Sequence, residues 1–142
     1  MAIDTILVAL KPSDDYDSLT DAVTDVAGPT EATVVLGVGH PKDDYKAASE
    51  DFGENTTPDE LATRSDSIQT FTTRFEKEGI DYEIRGGVGD TGETFVSLAD
   101  ATDADLLYVQ GEDRSPTGKA LFGDTAQSVL LNAPCPVTFV RR

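Results

Sequence analysis

Five short segments of strand character, separated by four stretches of helical periodicity, constrain this chain more than any other feature. Thr5-Ile-Leu-Val-Ala-Leu10 and Thr33-Val-Val-Leu-Gly-Val38 are continuous apolar runs, the pattern of strands covered on both faces. Tyr82-Glu-Ile-Arg85 alternates apolar and polar, which suits a less central strand, and Asp105–Gln110 and Pro136–Val140 complete the set. Between them, Leu19, Ala22, Val23 and Val26 recur at helical spacing, as do Leu61, Ile68, Phe71 and Phe75 in a helix over Glu60–Glu78 closed by Gly79. Asp90 and Glu93 have capping-box spacing ahead of Phe95, Val96, Leu98 and Ala99, and Thr125–Leu131 carries a last short helical face. His40–Pro58 is polar and without period, so it reads as a loop, and Gly86–Gly89 reads as a bend. Regular alternation of this kind predicts an α/β, Rossmann-like three-layer sandwich, a parallel sheet with helices on both faces joined by right-handed crossovers. At 142 residues the chain suits a single domain spanning residues 1–142.

Charge narrows the function classes. The chain holds 27 acidic and 11 basic residues, a formal net of −16, with eighteen Asp to nine Glu. The acidic residues are scattered over every segment, which favours adaptation to molar salt, as in a halophilic cytoplasm, over a partner-specific acidic surface. At 1 M salt the Debye length is about 3 Å, so self-repulsion of this charge is largely screened. Direct nucleic-acid binding is disfavoured because no basic stripe exists to displace counterions from phosphates. No apolar run approaches the roughly 18 to 20 residues that span a bilayer, and the segment opening MAIDTILVALK lacks the basic start and small-residue cleavage site of a signal peptide. A single cysteine, Cys135, forms no internal disulfide, and the expected location is cytoplasmic.

Ligands of a doubly wound sheet bind outside the carboxyl ends of the strands, where the strand order reverses. Two loops there carry suitable residues: Lys11-Pro-Ser-Asp14 after the first strand, and GEDRSPTGKALFGDT, Gly111 to Thr125, after the fourth. Gly111 would let backbone approach a ligand closely, and the N–H groups opening the helix near Thr125 would face an anion. The spacing is not that of a Walker A loop, because Gly118-Lys119 is followed by Ala120. On glycines alone, a plain structural loop stands as an equal alternative.

TILVAL, the GVGD bend before a helix, ADLLYVQG, the glycine loop and the ending VLLNAPCPVTFV together resemble the universal stress protein family over essentially the whole chain. The resemblance implies a five-stranded parallel sheet of order 3-2-1-4-5, a homodimer through the last strand, Val137–Val140, and ATP or another adenine nucleotide at the switch between strands one and four. It implies that Leu10, Val38 and Gln110 frame adenine and ribose, and that Gly111, Gly118 and Gly123 admit the phosphates. Arg114, Ser115, Lys119 and Thr125 would be donors, and Lys11 would add charge to the same pocket. A divalent cation such as Mg2+ could bridge the phosphates to Asp124. The chain departs from the family's loop in three places: Lys11 replaces an Asp that meets the nucleoside, Arg114 replaces a glycine, and Asp124 takes the place of Ser or Thr. Asp124 at the head of a helix would serve as N-cap, occupying N–H groups that phosphates use. These departures keep open a member that binds no nucleotide and acts as a dimeric interaction scaffold.

The remaining candidates have structural readings. Cys135 between two prolines reads as a small buried filler, and His40 as an exposed turn residue. The Asp14-Asp15-Asp17 cluster reads as helix-start charge, with metal binding the sharper alternative. The sequence offers no constellation for nucleophilic catalysis, so the expectation is a binding protein with at most a slow ATPase activity. An apolar strand at the sheet's end is an unpaired edge unless covered, and pairing with a symmetry mate would cover it.

Overall fold

The computed structural model describes residues 2–12, 14–89, 92–111 and 123–141. The strands are β1 (Thr5–Leu10), β2 (Thr33–His40), β3 (Tyr82–Val88), β4 (Leu106–Gln110) and β5 (Val137–Val140). The helices are α1 (Asp17–Thr30), α2 (Lys42–Phe52), α3 (Pro58–Thr63), α4 (Asp66–Glu78), α5 (Gly92–Thr102) and α6 (Asp124–Asn132). All strand pairings are parallel and the order is β3-β2-β1-β4-β5, as the alternation and the family resemblance together imply.

Strand β1 lies at the centre, and its side chains divide the core in two, because successive residues of a strand face opposite sides. Ile6, Val8 and Leu10 join the cluster of Leu19, Val23, Phe71 and Phe75, which α1 and α4 supply. Leu7 and Ala9 join Phe95, Ala99, Ala126 and Val129, which α5 and α6 supply. Every one of these side chains is at most 5% exposed, so both faces of the sheet are sealed by helices. Four aromatics, Tyr16, Phe71, Phe75 and Tyr82, follow one another at centroid distances of 6.1, 5.9 and 6.1 Å and stiffen the first face. At the amino end of the sheet, the Asp105 carboxylate accepts from the N–H groups of Asp4 and Thr5 at 2.8 and 3.0 Å, fixing the register of β4 on β1.

Several expectations need correction. The polar stretch His40–Pro58 is not a loop but holds α2, which buries none of its residues, and the single helix expected over Glu60–Glu78 is two, α3 and α4. Helix α2 is tied down by the Tyr45 hydroxyl, which donates to the Thr56 carbonyl at 2.6 Å. His40 is not an exposed turn residue; it ends β2, is 2% exposed, and its Nε2 lies 3.1 Å from the Pro58 carbonyl. Gly86, Gly87 and Val88 continue β3 in place of the expected bend. Gly86 is glycine for a steric reason, since a Cβ there would lie 2.1 Å from the Pro58 carbonyl oxygen. Its N–H donates to the Asp59 carboxylate at 2.7 Å, so α3 covers this part of the edge strand. Cys135 is half-buried against the second cluster. Asp90, expected to cap α5, lies outside the described residues.

Candidate functional site

The ladder between β1 and β4 is paired from Ile6 and Leu106 to Val8 and Tyr108. Beyond it the chains part, β1 toward α1 and β2, β4 toward α6 and β5. This is the topological switch point, and it opens a crevice at the carboxyl edge of the sheet. Leu10, Lys11, Gln110, Gly111 and Thr125 line one cavity there, of about 20 Å³, which is room for a single water.

Hydrogen bonds stitch the two walls. The Lys11 N–H donates to the Tyr16 hydroxyl at 2.7 Å, folding the loop after β1 back on itself. The side-chain amide of Gln110 donates to the Asp15 carbonyl at 3.1 Å, joining that loop to the end of β4. The Gly111 N–H donates to the Val140 carbonyl at 2.9 Å, so it is committed to β5 and not presented to the crevice.

Helix α6 closes the β4 side of the crevice through Thr125 and Ala126. Its N-cap is Gly123, with φ 54 and no side-chain cap, where the sequence pointed to Asp124. A positive φ suits glycine. Asp124 follows in the first turn with its side chain exposed. A glycine cap leaves the first-turn N–H groups without a capping oxygen from that residue, the arrangement that receives anions at helix starts. The Asp124 carboxylate supplies negative charge to the same turn and competes with such an anion. Thr125 is half-buried and fixed by close packing of α5 on α6, where a Cβ on Gly92 would lie 3.1 Å from the Thr125 carbonyl oxygen.

Of the residues singled out from sequence, the structure therefore brings five around one cavity. Gly123 and Asp124 directly precede Thr125 at the start of α6 and are not among the lining residues. Val38 is fully buried one strand away, register-paired with Leu10, and does not line the cavity. Arg114, Ser115, Gly118 and Lys119 lie outside the described residues. Sequence reasoning missed Tyr16, Phe95 and Ala126 as lining residues, because each also reads as an ordinary core position. It read Asp14 as helix-start charge, whereas Asp14 lines the cavity. Among the described residues no group of three or more His, Cys, Asp or Glu is placed to hold a metal ion, and no helix is long and apolar enough to cross a membrane.

Comparison with known proteins agrees with the fold. The model of the universal stress protein family matches residues 2–141, so the chain belongs to that family. A universal stress protein of Mycolicibacterium smegmatis is 37% identical over 79 residues, which are 55% of this chain and 61% of that relative, less than two thirds of its length. The structure of a universal stress protein from Archaeoglobus fulgidus in complex with dAMP superposes with a TM-score of 0.63 at 22% identity, covering 99% of both chains. A universal stress protein family protein of Arabidopsis thaliana, with AMP bound, gives a TM-score of 0.66 at 14% identity, covering 98% of this chain and 92% of that one.

Proposed function

We propose that this member of the universal stress protein family binds an adenine nucleotide in the crevice between β1 and β4 and acts as a stress-response protein through that occupancy. One observation carries the reading: a glycine-capped helix start, that of α6, meets the cavity lined by Lys11, Gln110, Gly111 and Thr125 at the switch point. The AMP and dAMP held by proteins of the same fold support it. Leu10 and Gln110 would flank the nucleoside and Val38 would meet adenine through its backbone. Gly111, Gly118 and Gly123 would admit phosphates, with Lys11, Arg114, Ser115, Lys119 and Thr125 as donors. The ligand would be ATP, AMP or a close relative, with a divalent cation bridging Asp124 to a triphosphate.

The same reading takes the protein as a binding protein with at most a slow ATPase activity, forming one domain over residues 1–142. It takes a homodimer through the open edge of β5 as its assembly and a salt-adapted cytoplasm as its setting, the latter in keeping with the net charge of −16. Equilibrium dialysis against ATP, ADP and AMP in molar KCl, with and without magnesium, tests the central point. Binding at or below millimolar nucleotide supports it, and no binding at that level sinks it. Sedimentation of the same preparation reads the assembly.

A second reading, a dimeric scaffold that binds no nucleotide, is favoured by two observations. Asp124 puts negative charge in the first turn of α6, and the N–H of Gly111 is already bonded to Val140.

A further inference from the structure

The switch-point cavity is too small for most of what a nucleotide consists of. At about 20 Å³ it has room for one water-sized group, such as a hydroxyl, and none for a purine ring or a phosphate. Phe95 and Ala126 make part of its wall apolar, and Lys11, Asp14, Gln110 and Thr125 bring polar groups to it.

Asp14, Asp15 and Asp17 are close in sequence but differ in situation. Asp15 and Asp17 are exposed, and the Asp15 carbonyl is taken by the Gln110 amide. Asp14 is half-buried and is, among the described residues, the one carboxylate that lines the cavity. The loop that carries it is held by two bonds, Lys11 N–H to the Tyr16 hydroxyl at 2.7 Å and Gln110 to Asp15 at 3.1 Å. An ionised carboxylate has only acceptor sites, so the group it receives must donate. Like charge opposes a phosphate there. The edge of adenine sets ring-nitrogen acceptors beside its amino donor, a pattern that an acceptor-only group partly repels. A sugar hydroxyl turns its O–H to the acceptor and is the size of the space.

We infer that the Asp14 carboxylate accepts a hydrogen bond from a ribose hydroxyl seated in this cavity, and so makes the site prefer a ribonucleotide to the deoxynucleotide lacking that hydroxyl. The inference rests on the nucleotide-binding reading above and adds a specificity-determining residue to it. No element of the fold has to be displaced, because the group that enters is no larger than the cavity. The rest of the nucleotide lies outside it, along the carboxyl edge of the sheet. The crevice is thereby divided: Asp14, on the loop after β1, takes the sugar and leaves the first turn of α6 to the phosphates.

Titration calorimetry of the full chain with AMP, 2′-deoxy-AMP and 3′-deoxy-AMP tests this. The wild type is expected to bind at least one deoxy analogue about tenfold more weakly than AMP, the loss of one hydrogen bond to a charged group. The analogue that loses identifies the hydroxyl. Asp14→Ala is expected to lose the same factor for AMP and to bind AMP and that analogue equally. Asp14→Asn, equal in size and with a neutral acceptor, is expected to keep part of the discrimination, and it decides the matter if Asp14→Ala does not melt cooperatively. A wild type that binds AMP and both deoxy analogues equally overturns the inference. Discrimination that persists undiminished in the variants overturns it too, since another group then reads the hydroxyl. Tighter AMP binding by the variants would place the carboxylate against the phosphate, with the same result. A wild type that binds no AMP removes the nucleotide-binding reading itself, and this inference with it.

Discussion

Gln110 and Asp15, 95 positions apart, are joined across the mouth of the switch-point crevice by a 3.1 Å hydrogen bond from the Gln110 amide to the Asp15 carbonyl. The bond does two jobs at once. It fixes where β4 ends, and it holds the loop Lys11–Tyr16 against the wall that a ligand would occupy. The Lys11 N–H, bonded to the buried Tyr16 hydroxyl, fixes the other end of that loop. Two bonds thus help to shape the pocket wall on the β1 side, one from a side chain and one to a side chain.

Gln110→Ala removes one of the two. The bond is exposed, so the expected loss of stability is at most about 1 kcal/mol in urea denaturation. The larger effect should fall on AMP affinity, weakened several-fold because the loop after β1 is no longer held in its binding shape. A variant with lower stability and unchanged affinity would show that the bond serves only the fold.

Asp124→Ser addresses the charge at the head of α6. A carboxylate about 4 Å from a phosphate opposes it by roughly 1 kcal/mol in water and 4 kcal/mol at an effective dielectric of 20. The Asp124 side chain is exposed, which puts the expected gain near the lower figure, about fivefold in ATP affinity without magnesium and less for AMP. In molar KCl, with a Debye length of about 3 Å, the gain survives only if carboxylate and phosphate are in contact. Equal ATP affinity for both proteins at low salt would mean that the carboxylate points away from the ligand.

How much of this was legible in the sequence follows from where each residue finds its partners. The strands were readable because a central parallel strand must be apolar on both faces, as Ile6 to Leu10 is. Helix α2 was not, because none of its residues is buried and so no apolar period marks it. Helix α3 is short, with only Ala62 buried, so its spacing runs on into that of α4 without a visible break. The burial of His40 and the strand conformation of Gly86 both depend on Pro58, a contact that no local pattern encodes. Within the site, the topology and the loop positions were visible. The commitment of the Gly111 N–H to Val140, and the choice of Gly123 over Asp124 as the cap, were not, since both are backbone matters.

Gly86→Ala tests the clamp of α3 on the edge strand. The added Cβ would meet the Pro58 carbonyl oxygen at 2.1 Å and its carbon at 2.5 Å, backbone atoms that a rotamer change does not move aside. Overpacking of this kind costs about 1–3 kcal/mol. Asp59→Ala removes only the carboxylate that accepts from the Gly86 N–H and should cost about 1 kcal/mol. Chemical denaturation of the two variants should rank them in that order, with Gly86→Ala the less stable. The reverse order would mean that α3 yields easily and is held chiefly by Asp59.

His40 gives the fold a pH dependence whose sign is fixed by its burial. Desolvation lowers its pKa below the ordinary value of about 6.5, outweighing the Pro58 carbonyl and the Asp44 charge, which both raise it. With the folded pKa depressed, the unfolded chain binds the proton first as pH falls. The contribution of His40 is therefore fully present above about pH 6.5 and is lost as pH drops from there through the lowered folded value. Carboxylate titration and the easing of net negative charge act in the same acidic range, so the comparison must be internal. His40→Gln keeps an amide donor for the Pro58 carbonyl but carries no titrating group. Melting temperatures of the wild type and His40→Gln, measured in parallel from neutral pH to about pH 5.5, should diverge, with the wild type losing more below about pH 6.5. Parallel curves across that range would mean that the imidazole takes its proton as readily in the folded chain as in the unfolded one, against the burial seen at the end of β2.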